Sequence, residues 1–292
     1  MKNNFIYFVY IILINFSLYS FANGSEIFNF DVTEIEIKEN GNKFIGKRGG
    51  VAKSADGITI KAINFNYDKS KNILIAVGNV EVNDKDDDVT IYADKITYFK
   101  NKEFVTTNGN SKAISKNIEI YSDKFNYNKN TNILNAIGSV VINNKKEDYF
   151  INSDFINYNK NQEKIYTKGN SKAFTNNEDI IITGDDFSFD RLSDTLQATG
   201  NVKIDDRKED YILYSSDITY KKNSNQIFTK GKTDAIVQNK YKFNSRDVFL
   251  DRKIKEIKSN KYSIIEDNNS NIYKLSRFLY FFETKFLKGE NL

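Results

Sequence analysis

The chain has 292 residues, with 43 Lys+Arg against 39 Asp+Glu and no His, Cys or Pro. Without His or Cys there is no Ser-His-Asp triad, thiolate nucleophile or usual zinc site, and so neither an enzyme nor a metal protein is expected. Interspersed, nearly balanced charges argue against a nucleic-acid partner, and a fold without disulfides has to be held by its hydrogen-bonded sheet.

Residues 1–22 stand apart. Lys2 opens a short positive region, Phe5 to Leu18 is mostly apolar, and Ser20 and Ala22 put small residues where a signal peptidase reads. This predicts a cleaved secretory signal and a mature chain from about Asn23, with an uncleaved membrane anchor as the other reading. The next stretch, to residue 57, is irregular. Ile27 to Phe30 and Ile35 to Ile37 suggest an entering strand, and Gly46 to Gly50 resembles a worn glycine turn, as expected of a capping unit.

A unit of about 30 residues then recurs. The aromatic that ends its first strand stands at Tyr67, Tyr98, Tyr127, Tyr158, Phe189 and Tyr220, and the series degenerates at Leu250. Two residues earlier stand Phe65, Ile96, Phe125, Ile156, Phe187 and Ile218, and seven earlier a second large apolar column runs from Ile60 through Ile91, Ile120 and Ile151. Side chains alternate faces along a strand, so columns at minus seven and minus two oppose each other unless one residue is absorbed between them. A β-bulge is therefore predicted near Asp94-Lys95, Asp123-Lys124 and their equivalents.

The second strand of each unit carries Gly78, Gly109, Gly138, Gly169, Gly200 and Gly231. After the glycine the units alternate, Val80/Val82 in one kind and Ser111/Ala113 in the next, so the full period is about 61 residues. Two kinds of unit suggest two differently lined sheets or groove sides. The charged runs Asn83 to Asp88, Asn143 to Glu147 and Asp205 to Glu209 read as loops, and the repeated Asp94, Asp123, Asp154 and Asp185 as part of the fold rather than an active site. The Gly-Asn steps make no phosphate loop, because no helix is expected to follow them.

What the residues predict is an all-β, antiparallel, repeat-built fold with a long apolar interior. That interior can be a closed core, as in a structural or adhesive exported repeat protein, or a groove. Polar residues on the opposite faces leave no lipid-facing band for a membrane barrel.

The export signal, the glycine steps such as Gly169-Asn170-Ser171-Lys172-Ala173, and the strand Ile91 to Tyr98 together resemble the OstA-like (organic solvent tolerance) domain of lipopolysaccharide transport proteins, over about residues 30 to 258. The segment 259–292, with Tyr262 to Asp267 and Asn271 to Leu275, resembles the connection from jellyroll to barrel in the outer-membrane assembly proteins of this family, LptD, more than it does the free bridge protein LptA. The resemblance implies a β-jellyroll of residues 23–258, a twisted open V of two sheets. It further implies a periplasmic protein that binds lipopolysaccharide, docks other jellyroll domains edge to edge, serves outer-membrane assembly with an outer-membrane barrel as a partner, and needs no cofactor. Its acyl chains would lie along Phe65, Tyr67, Ile96, Tyr98, Phe125, Tyr127, Ile156, Tyr158, Phe187, Phe189, Ile218 and Tyr220.

Overall fold

The computed structural model describes residues 28–55, 57–85 and 88–291. The expected signal peptide, 1–22, lies outside them. Among the described residues 26 strands join in one hydrogen-bonded antiparallel sheet, with short 3-10 turns at Glu39–Gly41 and Lys100–Lys102. Each long strand pairs with the strands before and after it along the chain: Ile73–Asp84 pairs with Val89–Phe99, which pairs in turn with both Phe104–Asn108 and Ser111–Ser115, the two halves of one bent strand. Chain neighbours are therefore spatial neighbours.

Every strand through the repeat changes direction at its middle. Val77 pairs with Lys95 and Val80 with Ala93, so Gly78 and Asn79 together oppose the single residue Asp94. The same step recurs between Ile137 and Val140 and between Thr199 and Val202. Gly78 has φ +85° and Asn79 φ +46°, and Gly200 and Asn201 repeat the pair at +71° and +47°. Two successive left-handed residues turn the strand sharply, and glycine followed by asparagine is the cheapest pair to place there. This is why the Gly-Asn step recurs.

The expected bulge is thus at the expected level, but the extra residue belongs to the glycine strand. Asp94-Lys95 is its single-residue side. The consequence for the side chains is the one predicted: Asp94 and Lys95 are both exposed, whereas Ile91, Ala93, Ile96 and Tyr98 are all buried. The Asp column has a structural task here, since Asn110 Nδ2 donates to Asp94 Oδ2 at 2.8 Å and Asn170 Nδ2 to Asp154 Oδ2 at 2.7 Å.

These bends line up across the sheet. The Asp94 N–H donates to the Gly109 carbonyl at 3.0 Å, and the Gly109 N–H to that of Asp123 at 3.1 Å. The sheet consequently creases into a V with two walls, one carrying the aromatic column from Tyr67 to Tyr220, the other the aliphatic column from Ile60 to Leu213. The two kinds of unit turn out to be alternate strands of this one sheet, each contributing to both walls. They differ at the crease: where Ala76, Ala136 and Ala198 stand in one kind, Thr107, Thr167 and Thr229 stand in the other. Thr107 Oγ1 lies 2.6 Å from Ser111 Oγ and accepts the Phe125 N–H at 2.7 Å, and Thr167 repeats this with Ser171 and the Phe187 N–H. A buried hydroxyl pair replaces the carbonyl that the bend has removed.

Both ends of the array continue the pattern. Arg48 and Gly49, at φ +63° and +85°, oppose Thr33 alone, so the worn glycine turn is a working crease. The segment 259–292, expected to be a connecting linker, instead extends the sheet by Ser263–Asp267, Ile272–Phe281 and Phe286–Asn291. Buried Phe278 and Tyr280 take the places of Val248 and Leu250 one unit on. Among the described residues the first strand, Phe28–Lys38, and the last, Phe286–Asn291, each pair on one side only.

Candidate functional site, the space between the walls

All twelve residues expected to line a groove point into the V. Eleven are buried and Tyr220 is half-buried. They divide into two rows with different surroundings. Phe65, Ile96, Phe125, Ile156, Phe187 and Ile218 sit beside the crease, where the walls meet, and are packed among one another's neighbours. Phe125 is 0% exposed. The aromatic row lies further out, and two cavities open beside it.

The first cavity, of about 80 Å³, has Ile151, Phe174 and Ile182 on the aliphatic wall facing Phe189, Leu196 and Tyr220 on the aromatic wall. The second, of about 30 Å³, lies between Ile91, Ala113 and Ile120 on one side and Tyr127, Leu134 and Tyr158 on the other. Both are apolar. Of the expected residues, then, Tyr127, Tyr158, Phe189 and Tyr220 border free space, and the crease row lines neither cavity.

The tyrosines are amphipathic in this position. Each turns its ring to the interior and its hydroxyl to the mouth of the V, where it donates to the residue five further on: Tyr127 to Asn132 Oδ1 at 2.8 Å, Tyr158 to Glu163 Oε2 at 3.2 Å, Tyr67 to Asn72 Oδ1 at 3.2 Å. Those acceptors are turn residues with positive φ, for example Asn132 at +54° and Glu163 at +51°. Burial pushes the Tyr158 hydroxyl up to about 12. It stays a neutral hydrogen-bond donor at any ordinary pH.

The mouth holds a feature the sequence reading did not reach. Two residues after each of the six aromatics, and after Leu250 in the seventh unit, stands a cation: Lys69, Lys100, Lys129, Lys160, Arg191, Lys222 and Arg252. Six residues after the glycine of alternate units stand Asp84, Asn144 and Asp206, 6%, 1% and 1% exposed; they fall within the charged runs read as loops, but each is the buried last residue of a strand. Across the mouth Lys129 meets Asp84 at 3.1 Å and Arg252 Nε meets Asp206 Oδ2 at 2.6 Å. Between them Lys222 spans the gap differently, donating to the Glu147 carbonyl at 3.1 Å and lying 5.3 Å over the Tyr149 ring. The period of the cations was visible. Their partners were not, because each lies on the other wall.

Among the described residues no group of three or more His, Cys, Asp or Glu is placed to hold a metal ion. What the site offers chemically is burial and ion pairing: an apolar slot, rimmed by charges, closed along one edge by a continuous crease.

Comparison with known proteins bears on what such a slot is for. The family described as LptA/(LptD N-terminal domain) LPS transport protein matches residues 59–226. Among solved structures, one that is similar is LptH from Pseudomonas aeruginosa, described as the LptA homologous periplasmic component of the conserved lipopolysaccharide transport device. It is 16% identical, with 50% of this chain and 86% of that chain covered, at a TM-score of 0.23. No curated protein sequence matches.

Proposed function

The chain belongs to the LptA/LptD N-terminal-domain family of lipopolysaccharide transport proteins, and from that premise we propose that it is a periplasmic bridge that holds lipopolysaccharide acyl chains between its walls and passes them toward the outer membrane. The observation that carries this reading is the pair of apolar cavities between the walls, bordered by Phe189, Leu196 and Tyr220 and by Tyr127, Leu134 and Tyr158. Each methylene moved there from water contributes about 0.8 kcal/mol. The sugar and phosphate head stays outside, at the charged rim. Movement along the slot is a passive slide between equivalent units, since the interior repeats every 30 residues or so and offers no single deep minimum.

The half-paired strands Phe28–Lys38 and Phe286–Asn291 suit the docking of further jellyroll domains by strand addition, the route by which such domains would join into a bridge. Association with an outer-membrane barrel and a part in its assembly belong to the same reading.

One observation favours a second reading, a closed structural repeat protein. An apolar cavity of about 150 Å³ takes one benzene, so the 80 Å³ between Phe189 and Ile182 cannot hold an acyl chain unless the walls part. A photo-crosslinking amino acid at Phe189, with exposed Asp186 on the same strand as control, separates the two. Irradiated with lipopolysaccharide, the carrier gives an adduct at Phe189 and none at Asp186. A folded protein with no adduct at Phe189, or equal adducts at both, supports the closed structural role.

A further inference from the structure

The mouth of the V is fastened at intervals, and one fastening lacks its buried carboxylate. Asp206 shows how a complete one is built. Its Oδ1 accepts the turn N–H groups of Lys208 and Glu209 at 3.1 and 3.0 Å, and its Oδ2 is left to meet Arg252 at 2.6 Å. Asn144 stands at the same place one full period earlier. Its Oδ1 accepts the equivalent N–H groups of Lys146 and Glu147, both at 3.1 Å, but the atom that should meet the facing cation is an amide nitrogen. A donor cannot pair with the guanidinium of Arg191, the residue that stands where Lys129 and Arg252 do.

Arg191 turns away accordingly. It pairs with Glu163 on its own wall and lies 3.9 Å from Glu147, which Lys222 also meets, at 3.9 Å through Oε2 and at 3.1 Å through its carbonyl, so the walls are tied here by looser, less buried contacts than at either flanking fastening. Around this gap Asn144 Nδ2, Arg191 Nε and Thr175 Oγ1 are buried with no hydrogen-bond partner in the structure; the Tyr149 hydroxyl is too, but so is its counterpart Tyr211 beside the intact Asp206–Arg252 pair. Directly beneath lies the 80 Å³ apolar cavity, whose lining includes Tyr149 and Thr175 from this gap. A weak point in the ionic seam thus stands over the larger of the two apolar cavities, and that cavity is too small for its cargo with the walls together.

We propose that the walls part at Asn144–Arg191, and that an acyl chain of a phosphate-bearing lipid enters sideways there, into the cavity between Ile182 and Leu196. The two complete fastenings, Asp84–Lys129 and Asp206–Arg252, hold the walls together on either side. The inference rests on the reading of the chain as a lipid carrier.

The chain contains no cysteine, so paired thiols can be introduced cleanly. The full mature chain with the crosslinker at Phe189 is mixed with lipopolysaccharide, and adduct formation is followed in time. In one form Asn144→Cys and Arg191→Cys are joined by a short bismaleimide; in the other Asp84→Cys and Lys129→Cys are. Closing the first pair is expected to slow loading more than tenfold, and closing the second to leave it within twofold. Asn144→Asp, which supplies the missing carboxylate without any linker, is expected to slow loading at least fivefold. Loading that is equally fast in both linked forms, or equally slowed, overturns the port, as does an Asn144→Asp rate equal to that of the unaltered chain. Absence of any adduct in the unlinked protein overturns the carrier reading and the port with it.

Discussion

Replacing Asp206 by Asn should convert a complete fastening into a copy of the gap at Asn144, and the cost can be worked from the neighbours of Arg252. Asp206 is fully buried and Arg252 is 14% exposed at its side chain, so solvent screens the pair little. Removing one partner of a buried pair typically costs about 3 to 5 kcal/mol, because the other charge is left uncompensated. Arg191 escapes that cost through Glu163. Arg252 has instead only the Asn225 amide oxygen at 3.3 Å and the Tyr220 hydroxyl at 3.4 Å. The expected loss for Asp206→Asn is therefore about 3 kcal/mol in urea unfolding with unchanged m-value, or roughly 6 to 12 °C in Tm. Adding Asn225→Asp places a carboxylate where Glu163 serves Arg191, and Asp194 already occupies the corresponding turn position at φ +48°. The double variant should recover at least half of the loss. A loss below about 1 kcal/mol, or no recovery from Asn225→Asp, would refute the account of the mouth as a seam of buried ion pairs.

Three further outcomes are expected. Gly169→Ala should destabilise by about 1 to 2 kcal/mol from its φ of +78° alone, and further because the new Cβ would lie 2.7 Å from Asp154 Oδ2; Asp154→Ala in the same chain should relieve the second part and leave the first, as read from urea midpoints. Thr167→Val leaves the Phe187 N–H and the Ser171 hydroxyl without their shared partner inside the crease, at a cost of about 1 to 3 kcal/mol, whereas Thr167→Ser should cost under about 1. Alkaline pH should unfold the protein. Burial raises Tyr158 and Tyr280 to about 12 and Tyr211 well above the ordinary value, so the folded state holds these protons more tightly than the unfolded chain, which releases them near about 10. Their contribution is complete below that pH and is lost as pH rises from 10 to 12, so stability measured at closely spaced pH values should be flat to about 9.5 and fall beyond it, less steeply in Tyr158→Phe.

The columns of the repeat were legible because they are local. Ile91, Ala93, Ile96 and Tyr98 lie on one strand, and their spacing alone demands that a residue be absorbed between them. The crease followed from that demand, but not which strand supplies the extra residue. Gly78 and Asn79 look in sequence like an ordinary turn, and only their pairing with Val89–Phe99 shows that they are the long side of a bulge. The strands of the tail went unread for a related reason. Phe278 and Tyr280 fit the two interior columns, yet Leu250 and Val248 before them had already blurred the pattern.

What the sequence determined by itself is everything that depends on a strand's two faces and on neighbouring strands of a meander: the all-β class, the period, the apolar interior and the bend at its centre. The tertiary structure decided what meets across the mouth. Asp84 ends the strand Ile73–Asp84, and Lys129 follows the strand pair 118–128, three strands further along the sheet. A creased sheet whose strands twist sets its two walls at an angle, so the end of each strand faces a strand some 14 Å away along the sheet rather than itself, at about 4.8 Å per strand. No spacing in the chain encodes that offset. It arises from the accumulated twist of the whole sheet, and it is what brings Asn144 opposite Arg191 and leaves the seam without its buried ion pair there.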